Sequence, residues 1–130
     1  MPLTRICLRA GKPAPYHQAL VAGIYKAMRE AFSVPEDDLF TLIHEHTEST
    51  FTYDPGYLGI ARDDDLVVIQ ITANDTRGTA QKQAFYAAIA DNLSREPGLR
   101  PENIFINLIS VPAENWSFGN GLMQYGPKPS

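Results

Sequence analysis

The chain has 130 residues, of which 44% are hydrophobic, and a formal net charge of −4 at pH 7. This length suits one globular domain with a core of its own. The negative charge and the lack of a run of Lys or Arg argue against a nucleic-acid partner. The sequence contains neither the roughly 18 apolar residues of a membrane span nor a signal-peptide pattern. We therefore expect a soluble, cytoplasmic protein that binds neither nucleic acid nor membrane.

The first half of the chain predicts a strand, a helix and a strand. Residues 3–8 form a short, β-favouring segment, which predicts a strand that ends before Gly11. From about residue 16 to residue 32, apolar side chains recur every three or four positions, which is typical of an amphipathic helix. Pro35 ends this helix, because the residue before a proline is pushed out of the helical region. Residues 39–44 predict the second strand.

The second half predicts the same order of elements. Residues 66–72 form a nearly continuous apolar run that suits a buried strand. A helix is predicted from about residue 79 to residue 93, and a last strand over residues 104–109. The segment between the two halves, residues 45–65, reads mainly as turns. The tail from Val111 is rich in Gly, Pro, Asn and aromatic residues.

The two halves correspond to each other in register. Leu3 and Leu66 open corresponding strands, and the segments that begin at Pro35 and at Pro101 are alike if one residue is gapped. A chance resemblance of short strand entries is the alternative to an internal duplication. We predict a single α+β domain over residues 1–130, built from duplicated β-α-β units of about 1–64 and 65–130. The units would form a four-stranded sheet with two helices on one face, and the bare second face predicts oligomerisation.

Metal and cofactor sites are not indicated. Cys7 is the only cysteine and falls in a predicted strand, which excludes a disulfide framework and a cysteine cluster. His17, His44 and His46 do not form a convincing set of metal ligands. The sequence has no Gly-rich phosphate loop and no nucleophile elbow. We predict neither a metal nor a cofactor.

Pro2 is the first candidate for chemistry. Its compact side chain permits removal of Met1, which would leave Pro2 with a free secondary amine. An unperturbed α-amino group titrates at about 7.7–8.0, so burial or a nearby charge can make it an acid or a base near neutral pH. The alternative is that Pro2 is simply a small second residue. Asp65 is its counterpart in the second unit, but only Pro2 can carry a free amine.

Three further segments could contribute to a site. Arg77 follows the strongest strand and could clamp a carboxylate, or it could project into water. The acidic turn 36–38 could supply a carboxylate that polarises a substrate or orients the proline amine, or it could be merely solvated. The segment 115–121, with its single tryptophan, suits a ligand pocket and a subunit contact equally well.

These features together resemble the tautomerase superfamily. The residues that carry the resemblance are Met1-Pro2-Leu3, Arg77 and the Asn-Trp-Ser-Phe-Gly-Asn-Gly segment 115–121, within the duplicated β-α-β plan. The match is closer to the malonate semialdehyde decarboxylase-like branch. The resemblance implies a homotrimer with its sheets facing inward and a small carboxylate-bearing substrate. It implies that the catalytic residues are Pro2, Asp38 and Arg77. It also implies that the substrate is bound by Asp75, Trp116, Phe118 and Tyr125.

One departure from that branch favours a particular activity. The decarboxylase pattern has two arginines in the loop after the third strand, whereas here Asp75 occupies the first of these positions and Arg77 the second. The lost donor favours keto-enol tautomerisation of a small, phenylpyruvate-like 2-keto acid by neutral Pro2. The alternatives are a malonate semialdehyde decarboxylase or hydratase, in which Pro2 is cationic, and a non-catalytic trimeric binding protein. Retention of Met1 would make Pro2 an amide and exclude the amine mechanism.

Overall fold

A computed structural model describes residues 2–127 of the chain, so the predicted removal of Met1 concerns a residue outside the described part. Within residues 2–127 the main elements follow the order strand, helix, strand, strand, helix, strand. Their bounds are β1 (Leu3–Arg9), α1 (Ala14–Phe32), β2 (Thr41–His46), β3 (Val67–Asn74), α2 (Thr79–Arg95) and β4 (Ile104–Val111). Short 3-10 turns lie in the connecting segments. None of the helices in this part of the chain is long and apolar enough to cross a membrane.

The four strands form one mixed sheet in the order β2-β1-β3-β4. β1 pairs with β2 in parallel, β3 pairs with β4 in parallel, and the two central strands pair antiparallel. Each parallel pair is joined by one of the two helices, as a parallel connection requires. The predicted pair of β-α-β units and the four-stranded sheet are therefore confirmed.

The core lies between the helices and one face of the sheet. Alternate residues of the central strands are buried, and they pack with buried side chains of both helices. Each such side chain stabilises the fold by about 1.5–3 kcal/mol relative to its exposed state. The residues that share this interior include Ile6, Leu8, Leu20, Ile24, Val67, Ile69, Ile71, Phe85, Ile89 and Leu93.

The opposite face of the sheet, which we call the open face, carries the other alternate residues. In the register of the strands, Arg5 lies beside Leu42 and Gln70, and Val68 lies beside Phe105. Leu42 is 47% exposed and Phe105 is 46% exposed.

The segment 51–62 packs against one end of the open face, where Phe51 contacts the His46 ring and Tyr53 lies under Arg9. No helix or strand within residues 2–127 covers the rest, which agrees with the expectation of a bare sheet face.

The second strand differs from its predicted bounds. The apolar run suggested residues 39–44, but β2 spans Thr41–His46. Leu39 and Phe40 are exposed and lead into the strand. Their apolar character gave a misleading signal, because hydrophobicity alone cannot distinguish a strand residue from a residue that approaches it.

Candidate active site

Pro2 is buried at the start of β1, at the end of the molecule where α1 and β3 finish. Leu3 pairs with Thr72 near the carboxyl end of β3. On the other side, the Thr4 amide donates to the Phe40 carbonyl at 3.0 Å. The beginning of β1 is therefore flanked by the end of β3 and by the turn that precedes β2.

Asp38 lies in that turn, two residues before Phe40. Its side chain is buried, with 9% of the residue exposed, whereas the neighbouring Asp37 is exposed. Burial raises the pKa of the Asp38 carboxyl, and the positive charge of Arg77 acts against this rise. The buried carboxyl of the acidic turn is that of Asp38, a choice that the sequence alone left open.

Arg77 lies in the loop between β3 and α2, and it does not project freely into water. Its Nη2 donates to the carbonyl of Phe32 at 3.1 Å, and its Nη1 donates to the carbonyl of Asn74 at 3.5 Å. The guanidinium carbon is 4.7 Å from the centroid of the Phe32 ring, which is a cation–π distance. Arg77 thus packs against the last residue of α1.

The electrostatics of Arg77 and Asp38 are linked. Burial lowers the pKa of Arg77, and the charge of Asp38 opposes that shift. An arginine remains charged in proteins at neutral pH. A guanidinium has five N–H donors. The two hydrogen bonds to backbone carbonyls therefore leave donors for a substrate carboxylate.

Trp116, Phe118 and Tyr125 form an aromatic cluster after β4. The Trp116 and Phe118 rings stack with centroids 5.4 Å apart, and Tyr125 meets Phe118 edge-on at 4.9 Å. Within the same segment, the Phe118 amide donates to the side chain of Gln124 at 2.9 Å. The segment therefore folds on itself and presents an aromatic surface.

Asn74 connects this aromatic cluster to β3. The indole Nε1 of Trp116 donates to Oδ1 of Asn74 at 2.7 Å. Asn74 is the last residue of β3, and the loop that carries Arg77 begins directly after it. Sequence reasoning missed Asn74, because a polar residue at a strand end is ordinary and its partner lies 42 positions away.

Asp75 is exposed, and its amide donates to the Val111 carbonyl at 3.0 Å. Asp65, which the comparison of the two halves aligned with Pro2, forms an ion pair with Lys12 at 2.9 Å. Among residues 2–127, no group of three or more His, Cys, Asp or Glu side chains could hold a metal ion.

The fold consists of two β-α-β units, with a buried proline directly before β1 at the end of the sheet where the Asp38 turn and the Arg77 loop also lie. This arrangement points to the tautomerases as the class. The sequence profile of a family described as tautomerase enzyme matches residues 38–119, more than half of the chain. The chain belongs to this tautomerase family, and the resemblance found in the sequence is confirmed.

Individual relatives agree over nearly the whole length. The chain is 43% identical over 124 residues to the probable tautomerase YusQ of Bacillus subtilis (strain 168), covering 95% of this chain and 98% of the relative. A malonate semialdehyde decarboxylase structure, presented as a basis for decarboxylase and hydratase activities, superposes with a TM-score of 0.89 at 25% identity and 95% coverage of both chains. A fused 4-OT described as a symmetric trimer has a TM-score of 0.72 at 16% identity, covering 92% of this chain and 94% of that chain. The last similarity concerns the fold alone.

Proposed function

We propose that the protein is a keto-enol tautomerase of a small 2-keto acid of the phenylpyruvate type, with the amine of Pro2 as general base. The observation that carries this proposal is the burial of Pro2 at the end of the sheet that also holds Asp38 and the Arg77 loop. Burial disfavours a charged ammonium and therefore lowers the pKa of an amine. A buried Pro2 amine is in this way suited to act as a neutral base.

The proposed reaction is a proton transfer that changes no oxidation state. After removal of Met1, the Pro2 nitrogen takes a proton from the carbon next to the keto group. The electrons of the C–H bond form the C=C bond while the C=O π electrons move to oxygen, which accepts the proton back from the Pro2 ammonium. This gives the enol and leaves the amine neutral. Ketonisation is the reverse, with Pro2 returning the proton to carbon.

Separate residues would bind the two ends of the substrate. Arg77 is held by two backbone carbonyls and would receive the carboxylate as a pre-positioned cation. The aromatic cluster of Trp116, Phe118 and Tyr125 would pack against the aryl group. Asp38 would orient the Pro2 amine.

Decarboxylation or hydration of a small β-keto or unsaturated acid is the second candidate. The observation in its favour is the TM-score of 0.89 with the malonate semialdehyde decarboxylase structure. Asp75 argues against it, because an exposed carboxylate stands where that branch has an arginine. A third reading, a non-catalytic binding protein, requires that Pro2 be chemically idle.

We also propose that the protein is a homotrimer with the open faces turned inward. The support is the half-exposed apolar side chains of Leu42 and Phe105 on the two edge strands of this face. The trimeric state described for the fused 4-OT of the same fold also supports it. The catalytic proposal requires no cofactor.

The test is the intact mass of the purified protein together with phenylpyruvate enol ketonisation by the wild type and by Pro2→Ala. Alanine at position 2 also permits removal of Met1, so the variant replaces a secondary amine by a primary one. We expect a mass that lacks Met1 and a kcat/KM that falls in the variant, by up to the roughly 10²-fold that loss of a general base costs, because the proline ring no longer holds the amine in place.

Asp65→Ala is the matched control, since it changes the equivalent position of the second unit, and it should retain activity. Retention of Met1, or full activity of Pro2→Ala, would overturn the amine mechanism. Turnover of malonate semialdehyde without ketonisation would support the second candidate instead.

A further inference from the structure

We propose that Asn74 is a positioning residue of this site, whose side chain holds the Trp116 indole beside the loop that carries Arg77. This inference rests on the proposed function. Its first observation is the short bond from Trp116 Nε1 to Asn74 Oδ1, 2.7 Å long and partly buried. Its second is that the backbone carbonyl of the same residue accepts from Arg77 Nη1 at 3.5 Å. The Asn74 side chain therefore anchors the proposed aromatic wall at the point where its backbone meets the proposed carboxylate clamp.

The backbone of Asn74 is held by the sheet. Asn74 pairs with Val111 at the last step of the β3–β4 ladder, and the next amide, that of Asp75, donates to the Val111 carbonyl at 3.0 Å. The acceptor thus stands on a rigid strand, whereas Trp116 lies in an irregular segment. Side chains on strands are positioned more precisely than side chains on loops.

Loss of the acceptor would affect the whole aromatic cluster. A partly buried indole N–H without a partner is unfavourable, so Trp116 would move towards water or another acceptor. Because Trp116 stacks on Phe118 and Phe118 contacts Tyr125, that movement would disturb the wall that packs against the substrate. Asn74 acts through Trp116, so substrate binding should suffer more than the chemical step.

The experiment uses the single tryptophan of the chain as a reporter. Asn74→Leu keeps the side-chain size and removes the acceptor, whereas Asn74→Asp keeps an acceptor oxygen. We expect Asn74→Leu to shift the emission maximum of Trp116, to increase its quenching by acrylamide and to lower kcat/KM about tenfold, mainly through KM. Asn74→Asp should restore the emission of the wild type.

Two further variants separate positioning from general destabilisation. Asn92→Leu removes a comparable hydrogen bond of a side-chain amide at the contact between the two helices. In that bond Asn92 Nδ2 donates to the Gly23 backbone carbonyl at 3.0 Å. This variant should leave the emission and KM unchanged. In a Trp116→Phe background, which has no indole N–H, Asn74→Leu should cause little further rise in KM, because the interaction is already lost.

The outcomes distinguish this inference from the proposed function. If the wild type is active and Asn74→Leu has the same emission, quenching and KM, the proposed role of Asn74 is wrong. The tautomerase proposal would then still stand. Equal effects of Asn74→Leu and Asn92→Leu on KM would also overturn it. A changed emission in a protein that lacks ketonisation activity altogether would contradict the proposed function, while the indole anchor itself would stand.

Discussion

Asp38 and Arg77 each carry a charge that burial disfavours and that the other residue favours. For Asp38 the effect of burial is the larger one, since the pKa of its carboxyl is raised despite the positive charge of Arg77. For Arg77 burial lowers the pKa, against the attraction of Asp38. The surroundings of the two residues thus shift both pKa values, as is common in functional sites and in structural ion pairs.

Replacing Asp38 by Asn should change the pH dependence of activity. A nearby carboxylate favours the charged form of an amine, so its removal lowers the pKa of the Pro2 amine. We expect the acidic limb of the kcat/KM profile to move to lower pH in Asp38→Asn, with a lower rate at the plateau because the amine is less well oriented. Ketonisation rates across pH, with Asp37→Asn as the control at an exposed site, measure this shift.

The same variant should alter the pH dependence of stability. A raised folded pKa means that Asp38 contributes stability that is fully present below the unfolded pKa and is lost as the pH rises through the folded pKa. Asn at position 38 does not titrate. Relative to the variant, the wild type should therefore lose free energy of unfolding on going from strongly acidic to mildly acidic pH. A wild type that gains stability over this window would contradict the direction of the shift.

At the scale of the elements, the two helices approach each other closely at Gly23. A Cβ built on Gly23 would lie 2.7 Å from Cδ2 of Leu93 and 3.4 Å from Cβ of Asn92. Leu93 is fully buried, so its methyl group has little room to move. Gly23 thus has a packing role in the middle of α1, where glycine is otherwise unfavourable by about 1 kcal/mol relative to alanine.

Gly23→Ala should therefore lower stability. Overpacking of a core costs about 1–3 kcal/mol, which outweighs the gain in helix propensity of about 1 kcal/mol, so we expect a net loss of about 1 kcal/mol in urea unfolding. In a Leu93→Ala background the obstructing methyl group is gone, and the same change should become stabilising. A loss of equal size in both backgrounds would show that the contact with Leu93 is not its cause.

The sequence predicts elements with a strong period better than contacts between distant segments. The bounds of β3 and α2 followed from an apolar run and a three-to-four-residue repeat, and each agrees within about two residues of its predicted range, in line with ordinary boundary uncertainty. The resemblance pointed to Asp38, but the residues themselves could not show which of Asp37 and Asp38 faces the pocket, because adjacent residues share the same composition signal. The bond between Asn74 and Trp116 depends on tertiary packing, for which neither residue carries a local pattern.

At the scale of the whole molecule, the two β-α-β units give the sheet one covered and one largely open face. The helices of both units lie on the same side, so most of the opposite alternate residues of the four strands are left for another surface. Leu42 and Phe105 stand near opposite edges of this face and are each nearly half exposed. The proposed inward-facing trimer would bury them and would leave the helices outside.

Phe105→Asp should therefore dissociate the proposed trimer. In the single chain Phe105 is 46% exposed, so a carboxylate there disturbs the isolated fold little. In an assembly it would place an unpaired charge in an apolar contact, at a cost of several kcal/mol for each subunit. By light scattering we expect the wild type at three times the 14.4 kDa mass of one chain and the variant at a lower mass.

Ala87→Asp, on the exposed side of α2, is the control and should keep the mass of the wild type. A wild type that runs as a monomer, or a Phe105→Asp variant that stays at the mass of the wild type, would show that the open face is not the contact between subunits.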